Sequence, residues 1–219
     1  MGKDIYQSAA QSYQDVFAND HVVLAFIDRV LNYLPPQSHI LDVGCGTGKP
    51  VGVRLAAAGH QLNGIDVSPT MIDHIRQNVP NGQFQIADMT DYEYPNGEPL
   101  DAVLNVRALF RNSRADIEMC VAKWAKWLQS GGLLCMVVFT ADDYNPAKIK
   151  QYDEDGLCAS VERRFMGWVK NFVVFSRAGW KHLLQENGLE LLHENMDVFV
   201  PPGDLSDEAA QYCLIARKL

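Results

Sequence analysis

The chain has 219 residues, 47% of them hydrophobic and 21% charged, the make-up of an ordinary globular domain with a sizeable core. Its formal net charge is −8, so phosphate counterion release contributes nothing to binding and a nucleic-acid partner is disfavoured. No stretch approaches the roughly 18 apolar residues of a membrane span, and five scattered cysteines show no metal-ligand spacing, so the expectation is a soluble, cytoplasmic protein with reduced thiols, no metal and no membrane partner.

Residues 4–34 read as one or two amphipathic helices. Val16, Phe17, Val22, Val23, Phe26, Ile27, Val30 and Leu31 recur at three- and four-residue spacing, with a break near Asn19-Asp20. Asp20 is a candidate N-cap for the second helix, which Pro35-Pro36 closes off. The run through Ile40-Leu41-Asp42-Val43 is short and apolar, as a buried parallel strand reads. It leads into Gly44-Cys45-Gly46-Thr47-Gly48-Lys49-Pro50 and a helix-compatible stretch from Val51 to Ala58. A strand passing through a glycine-rich turn into a helix lets the backbone approach a ligand closely.

Gln61 to Val67 reads as the second strand, with Asp66 at its tip, twenty positions after Gly46. An acid at that tip is where nucleotide-binding α/β folds accept from ribose hydroxyls, and a carboxylate can accept from both. Ser68 and Pro69 start a helix whose apolar stripe is Met71, Ile72, Ile75 and Val79. Gln83 to Asp88 alternates as a third strand, and Thr90 to Pro99 reads as an irregular loop. Leu100 to Val106 is a central fourth strand. Ser113 with Asp116 opens a helix that runs to Ser130 and stops at Gly131-Gly132, and Leu133 to Thr140 is a buried fifth strand. This alternation is that of a doubly wound sheet. It breaks over residues 141–171, a mixed stretch containing Phe165-Met166-Gly167-Trp168. A short strand at Phe172 to Phe175, a helix from Arg177 to Asn187 and two closing strands, Leu189 to Val200 and Ala210 to Lys218, follow, with Pro201 to Glu208 as a surface loop.

The pattern Asp42-x-Gly44-x-Gly46-x-Gly48 resembles the first motif of the S-adenosylmethionine-dependent methyltransferases with a Rossmann-like fold. A dinucleotide site would want a third small residue where Lys49 stands. The resemblance implies an α/β fold with a doubly wound, seven-stranded, mostly parallel sheet, an antiparallel C-terminal hairpin and helices on both faces. It also implies a single domain over residues 1–219, with residues 1–36 as a helical lid and 141–175 as a substrate-side insertion. Tyr6, Ala10 and Tyr13 are similar to the family's lid pattern, with Tyr13 over the cofactor; Tyr13 on a helix packing face is the alternative.

The cofactor implied is S-adenosyl-L-methionine. It would be held by Asp42, Gly44, Cys45, Gly46 and Gly48, by Asp66 at the ribose, and by Val67 and Met71 at the adenine. Asp88 would accept from the exocyclic amine of the adenine and Met89 would donate its backbone N–H to the base, and Asn105 and Val106 would lie beside the sulfonium. A solvated strand end is the alternative for Asp88. Arg107, Phe110 and Arg111 at the fourth strand tip, with Phe165 and Trp168 of the insertion, are the acceptor-side candidates. Either arginine offers a bidentate grip on a carboxylate or is a solvated loop cation. The insertion aromatics line an acceptor wall or anchor the loop to the core.

No Pro-Pro-aromatic box follows the fourth strand, which argues against base or amide N-methylation. His21, on the lid, is the one histidine placed to act as a base. Asp142 and Asp143 with Asn105 stand where a divalent metal would sit in catechol-type enzymes, but no spacing compels a metal. The expected activity is methyl transfer to an oxygen or nitrogen of a small molecule. The alternatives are a protein that binds the cofactor without methylating, as a partner subunit or a rearrangement enzyme, and a nicotinamide-dependent oxidoreductase, which Lys49 and the closing strands disfavour.

Overall fold

The computed structural model describes residues 4–95, 99–203, 206–207 and 209–219, with side chains in the first helix from Ala10 onward. The side chain of Tyr6, residues 96–98 of the expected irregular loop, and Asp204, Leu205 and Glu208 of the expected surface loop therefore lie outside the described residues.

Helix α1 (Asp4–Phe17) and helix α2 (His21–Leu31) are separated by the expected break. Asp20 caps α2, its carboxylate accepting from the backbone N–H groups of Val22 and Val23. Strand β1 (His39–Val43), helix α3 (Val51–Ala57), strand β2 (Gln61–Asp66), helix α4 (Pro69–Asn78) and strand β3 (Gln83–Ile86) follow as two β-α-β turns. Ser68 caps α4 and Pro69 occupies its first turn. No helix joins β3 to strand β4 (Leu100–Val106) among the described residues, so the connection runs as a loop, as expected from its acids and prolines. One face of β2 and β3 is consequently lined by Tyr92, Tyr94 and Pro95 of this loop, the two tyrosines leaning on Trp127.

Helix α5 (Arg114–Trp127) begins with a capping box between Ser113 and Asp116. It ends at Trp127, earlier than the glycine pair suggests, because strand β5 (Leu128–Val138) takes up Gly131 and Gly132. Gly131 has φ +80°, and a Cβ at Gly132 would meet the carbonyl oxygens of Leu100 and Asp101 at 3.0 and 3.3 Å. The pair thus accommodates an irregularity in the β4–β5 register rather than a helix stop.

The larger correction concerns the stretch read as mixed. Strands β6 (Ile149–Tyr152), β7 (Cys158–Phe165) and β8 (Trp168–Phe175) form a separate three-stranded antiparallel sheet, so β8 is twice the length of the expected strand. Met166 and Gly167 turn this hairpin with φ +50° and +80°. Helix α6 (Arg177–Glu186), strand β9 (Leu189–Phe199) and strand β10 (Ala209–Lys218) complete the chain.

The main sheet has the order β3-β2-β1-β4-β5-β10-β9, with all strands running the same way except β10, which is antiparallel to both β5 and β9, as the resemblance implies. One apolar cluster packs α2, α3 and α4 on one face, and another packs α5 and α6 on the opposite face. Because β10 runs antiparallel to β5, its start lies beside the end of β5, with Tyr212 opposite Val138. The carboxyl ends of the parallel strands, the start of β10, helix α1 and the small sheet therefore converge at one end of the molecule.

Candidate functional site

The glycine turn after β1 is strapped to β2. The N–H groups of Gly44 and Cys45 both donate to the carbonyl of Ile65, at 2.8 and 3.0 Å. That contact carries Gly46 to the tip of β2, where its N–H donates to Asp66 Oδ2 at 3.0 Å, while Ser68 N–H donates to Asp66 Oδ1 at 2.8 Å. Gly44, Gly46 and Gly48 all have positive φ, but for different reasons. A Cβ at Gly44 would lie 2.4 Å from Ala108 Cβ, and one at Gly48 would lie 2.6 Å from Ile75 Cγ1, so these two serve close packing. A Cβ at Gly46 would meet nothing within 4 Å, so that position opens onto unfilled space.

Two carboxyls face this turn. Asp42 is buried, and its side chain has no hydrogen-bond partner among the described residues. Burial, and then the charge of Asp66, push its carboxyl up to about 7. Asp66 is raised as well, by burial, against the lowering effect of its backbone donors. The same surroundings push the Cys45 thiol far up, which leaves it an inert, buried thiol.

Met89 reaches the same turn, its Cε 3.8 Å from where a Gly44 Cβ would stand. Asp88 turns one oxygen inward to the Thr90 N–H and hydroxyl, at 3.1 and 2.8 Å. Val67 is half-buried after β2, and Met71 is buried on the first turn of α4. Val106 ends β4 in the cluster that holds α2 to α4. Side chains alternate along a strand, so Asn105 faces the α5 layer instead, where its amide donates to the Val43 carbonyl at 2.9 Å and braces β4 to β1.

Arg107 follows β4 in a left-handed conformation, φ +55°, with its N–H on the Val137 carbonyl. Its guanidinium lies 4.4 Å over the Phe17 ring and donates to Asp20 Oδ2 at 2.6 Å. Gln211 donates to the same oxygen at 2.8 Å. Arg107 and Asp20 are 4% and 0% exposed, so this ion pair is internal and ties the lid helices to the sheet. Around it stands an aromatic box. Phe17 stacks on Phe165 at 5.9 Å, Tyr13 lies 4.8 Å from Phe17, and Phe110 meets Phe139, Phe165 and Phe172 at 5.5, 5.3 and 4.6 Å.

Tyr13, Arg107, Phe110 and Phe165 are thus brought together. Trp168 and His21 are not. Trp168 is 56% exposed beside the hairpin turn, and His21 is 62% exposed, 3.7 Å from Asp197. Arg111 sits in the short turn after Phe110. Asp143 pairs with Arg177 and accepts from Thr140, and Asp142 accepts from the Arg177 backbone N–H, so both tie the end of β5 to α6. Sequence reading missed Gln211, Arg163 and Tyr144. Arg163 had a legible signal: Ala159, Val161, Arg163 and Phe165 alternate, which sets a cation on an apolar strand face.

A doubly wound sheet with a glycine turn, an acid at the second strand tip and an antiparallel closing pair defines an α/β fold of the methyltransferase type. Residues 40–132 match the family model described as methyltransferase domain. That stretch, β1 to the start of β5, is similar to methyltransferase domains, and the fold around it is the Rossmann-like fold of solved methyltransferases. It is similar to the dTDP-3-amino-3,4,6-trideoxy-alpha-D-glucopyranose N,N-dimethyltransferase of Streptomyces venezuelae, 28% identical over 109 residues that cover 49% of this chain and 45% of that one. A solved methyltransferase from Methanosarcina mazei superposes with a TM-score of 0.70 at 17% identity, over 87% of this chain and 96% of that chain. The 1,6-didemethyltoxoflavin-N1-methyltransferase of Burkholderia thailandensis gives 0.68 at 16% identity, over 96% and 84%. At these identities the solved structures speak for the fold alone. The chain spans less than half the length of the curated relatives it matches.

Proposed function

We propose that the chain is an S-adenosylmethionine-dependent methyltransferase acting on an oxygen or nitrogen of a small molecule. The observation that carries this reading is the pair Asp42 and Asp66 against the open space at Gly46. A buried carboxylate without a donor is costly unless a cation joins it. The cofactor's α-ammonium and sulfonium are such cations, so the residues present fit the group. Asp66 spends one lone pair of each oxygen on backbone N–H groups, and its remaining lone pairs suit two ribose hydroxyls. Gly44, Cys45, Gly46 and Gly48 form the cradle, with Asp88, Met89, Val67 and Met71 toward the base and Val106 toward the sulfonium.

When bound, the cofactor supplies a methyl group already activated by positive sulfur. The chain's contribution is alignment, which can lower a barrier by several kcal/mol. Arg107 and Asp20 fix the lid against β4, and the aromatic box excludes water and orients a flat acceptor. Arg107, with its charge met by Asp20, acts here as a brace rather than as a free carboxylate grip. The reading extends to a single domain, with residues 1–36 as its lid and 141–175 as its acceptor wall. It extends also to a cytoplasmic site without nucleic-acid or membrane partners. Five buried, unpaired cysteines and the net charge of −8 support that placement, and no helix among the described residues is long and apolar enough to cross a membrane.

Thermal unfolding with S-adenosylhomocysteine and, separately, with NAD⁺ tests the reading. A ligand that binds only the folded state at 100-fold its Kd adds about 2.7 kcal/mol. The expected shift is with the first alone, and Asp66→Ala should weaken it by about 1–3 kcal/mol. A shift with NAD⁺ alone overturns the assignment.

A further inference from the structure

Two arginines are buried among the described residues, and one of them pairs with a carboxylate. Arg107 carries Asp20; Arg163, 3% exposed on the inward face of β7, has no carboxylate within 4.0 Å among the described residues. Its guanidinium lies 4.2 Å over the Phe139 ring, just past the end of β5. One terminal nitrogen donates to the Tyr144 hydroxyl at 3.2 Å and the other to the Asp207 carbonyl at 3.0 Å. Its Nε is buried with no acceptor. Tyr144 accepts from Arg163, yet its own hydroxyl hydrogen has no acceptor among the described residues. A desolvated cation next to an unused O–H donor is unfavourable when alone and favourable when an anion arrives.

Tyr144 and Asp207 also line a cavity of about 130 Å³, together with Asp143, Asn145, Lys148 and Ala210. It opens between the end of β5 and the start of β10, at the edge of the sheet where the site lies. The two carboxylates in its wall are already matched: Asp207 pairs with Lys148 at 3.2 Å and Asp143 with Arg177 at 2.7 Å. Arg163 does not line the cavity; it stands behind Tyr144, hydrogen-bonded to the hydroxyl that does. Phe139, under its guanidinium, packs against Phe110, which links Arg163 to the aromatic box beside β4.

We propose that Tyr144, whose hydroxyl accepts from the Arg163 guanidinium behind it, is the donor of an anion receptor, and that the methyl acceptor carries a carboxylate which this cavity holds. That the anion is the acceptor rests on the methyltransferase reading; the anion site itself does not.

Thermal unfolding of the full chain with benzoate, benzamide and inorganic phosphate, each with and without S-adenosylhomocysteine, tests both separately. Benzoate should raise the melting temperature and benzamide should not. Arg163→Met removes an unpaired buried charge, so it should raise the melting temperature of the unliganded protein by about 3 °C while abolishing the benzoate shift. An arginine kept for structure would do the reverse. Tyr144→Phe, a milder change, should weaken benzoate at least fivefold. Equal responses to benzoate and benzamide, a larger response to phosphate than to benzoate, or an Arg163→Met protein that melts lower and still responds to benzoate would each overturn the proposal. A benzoate shift without an S-adenosylhomocysteine shift leaves the receptor standing and defeats the methyltransferase reading. The opposite pattern keeps the enzyme and defeats the receptor.

Discussion

Replacing Asp42 with Asn should stabilise the unliganded protein and weaken cofactor binding at the same time. Asp42 is 2% exposed and its carboxyl is pushed up to about 7, from an ordinary 3.8. The folded state therefore holds this proton more tightly than the unfolded chain does. Asp42 costs nothing below about pH 4; the penalty grows as pH rises and is complete above about pH 7. About three pH units at 1.36 kcal/mol each give an upper bound near 4 kcal/mol, and relaxation around the charge brings this to roughly 2–4 kcal/mol. Asn keeps the shape and removes the charge. At about pH 8 the variant should melt roughly 5–15 °C above the natural protein, and the difference should vanish near pH 4. S-adenosylhomocysteine, which presents an ammonium, should bind the variant at least tenfold more weakly at about pH 8, and the deficit should shrink below pH 7, where the natural carboxyl also carries its proton. Melting curves across pH 4–8.5, with and without that ligand, contain every comparison. A stability difference independent of pH, or a variant that melts lower at pH 8, would refute the argument.

The two turn glycines separate packing from ligand space. Gly44→Ala forces a methyl onto Ala108 at φ +76°, so it should cost about 1–3 kcal/mol of stability as well as cofactor binding, read by urea denaturation. Gly46→Ala meets nothing and should cost only about 1 kcal/mol, yet S-adenosylhomocysteine binding measured by calorimetry should fall at least tenfold; full binding would show that the space at Gly46 is not the ligand's. Arg107→Met strands Asp20 without its cation in an interior position and should cost about 3–5 kcal/mol in denaturant unfolding. A loss under about 1 kcal/mol would mean that the lid is not held by this pair.

Where local chemistry decides structure, the sequence was readable. Asp20, Ser68 and Ser113 cap helices because their side chains accept from the next turn, and that needs only nearby residues. The glycine turn and Asp66 were readable because a close backbone approach leaves few alternatives. The small sheet was not. Strand β7 alternates, but its buried positions include a cation, Arg163, and β8 opens with Trp168, Val169 and Lys170 without a period-two pattern, so the pairing Arg163 opposite Lys170 and Phe165 opposite Trp168 is not written in either strand alone. Arg107 illustrates the same limit within the site. A lone arginine on a strand tip reads as a grip for an acid, and its acid proved to be Asp20, 87 residues earlier in the chain. Trp168 and His21 carry suitable chemistry but face solvent, and no spacing rule foretells that.

The buried charges are arranged unevenly, and the unevenness has a direction. At the β1–β2 end, Asp42 and Asp66 concentrate negative charge with too few donors to satisfy it. In the middle, Arg107 and Asp20 cancel. At the β5–β10 end, Arg163 is a buried positive charge with no carboxylate within 4.0 Å among the described residues. A methyl donor with positive sulfur would settle at the first end, and an anionic acceptor at the last, with the aromatic box between them excluding water. In that low-dielectric gap the attraction between a cationic donor and an anionic acceptor is stronger than in water, and it draws the two along the line on which in-line transfer must occur. The same field disfavours a cationic acceptor, whose charge would be repelled at Arg163 and drawn to Asp42 and Asp66. Reversing the far pole tests this directly. Arg163→Glu should turn the acceptor side from attracting anions to repelling them while leaving S-adenosylhomocysteine affinity within about twofold, because the neutral Arg107–Asp20 pair separates the two poles.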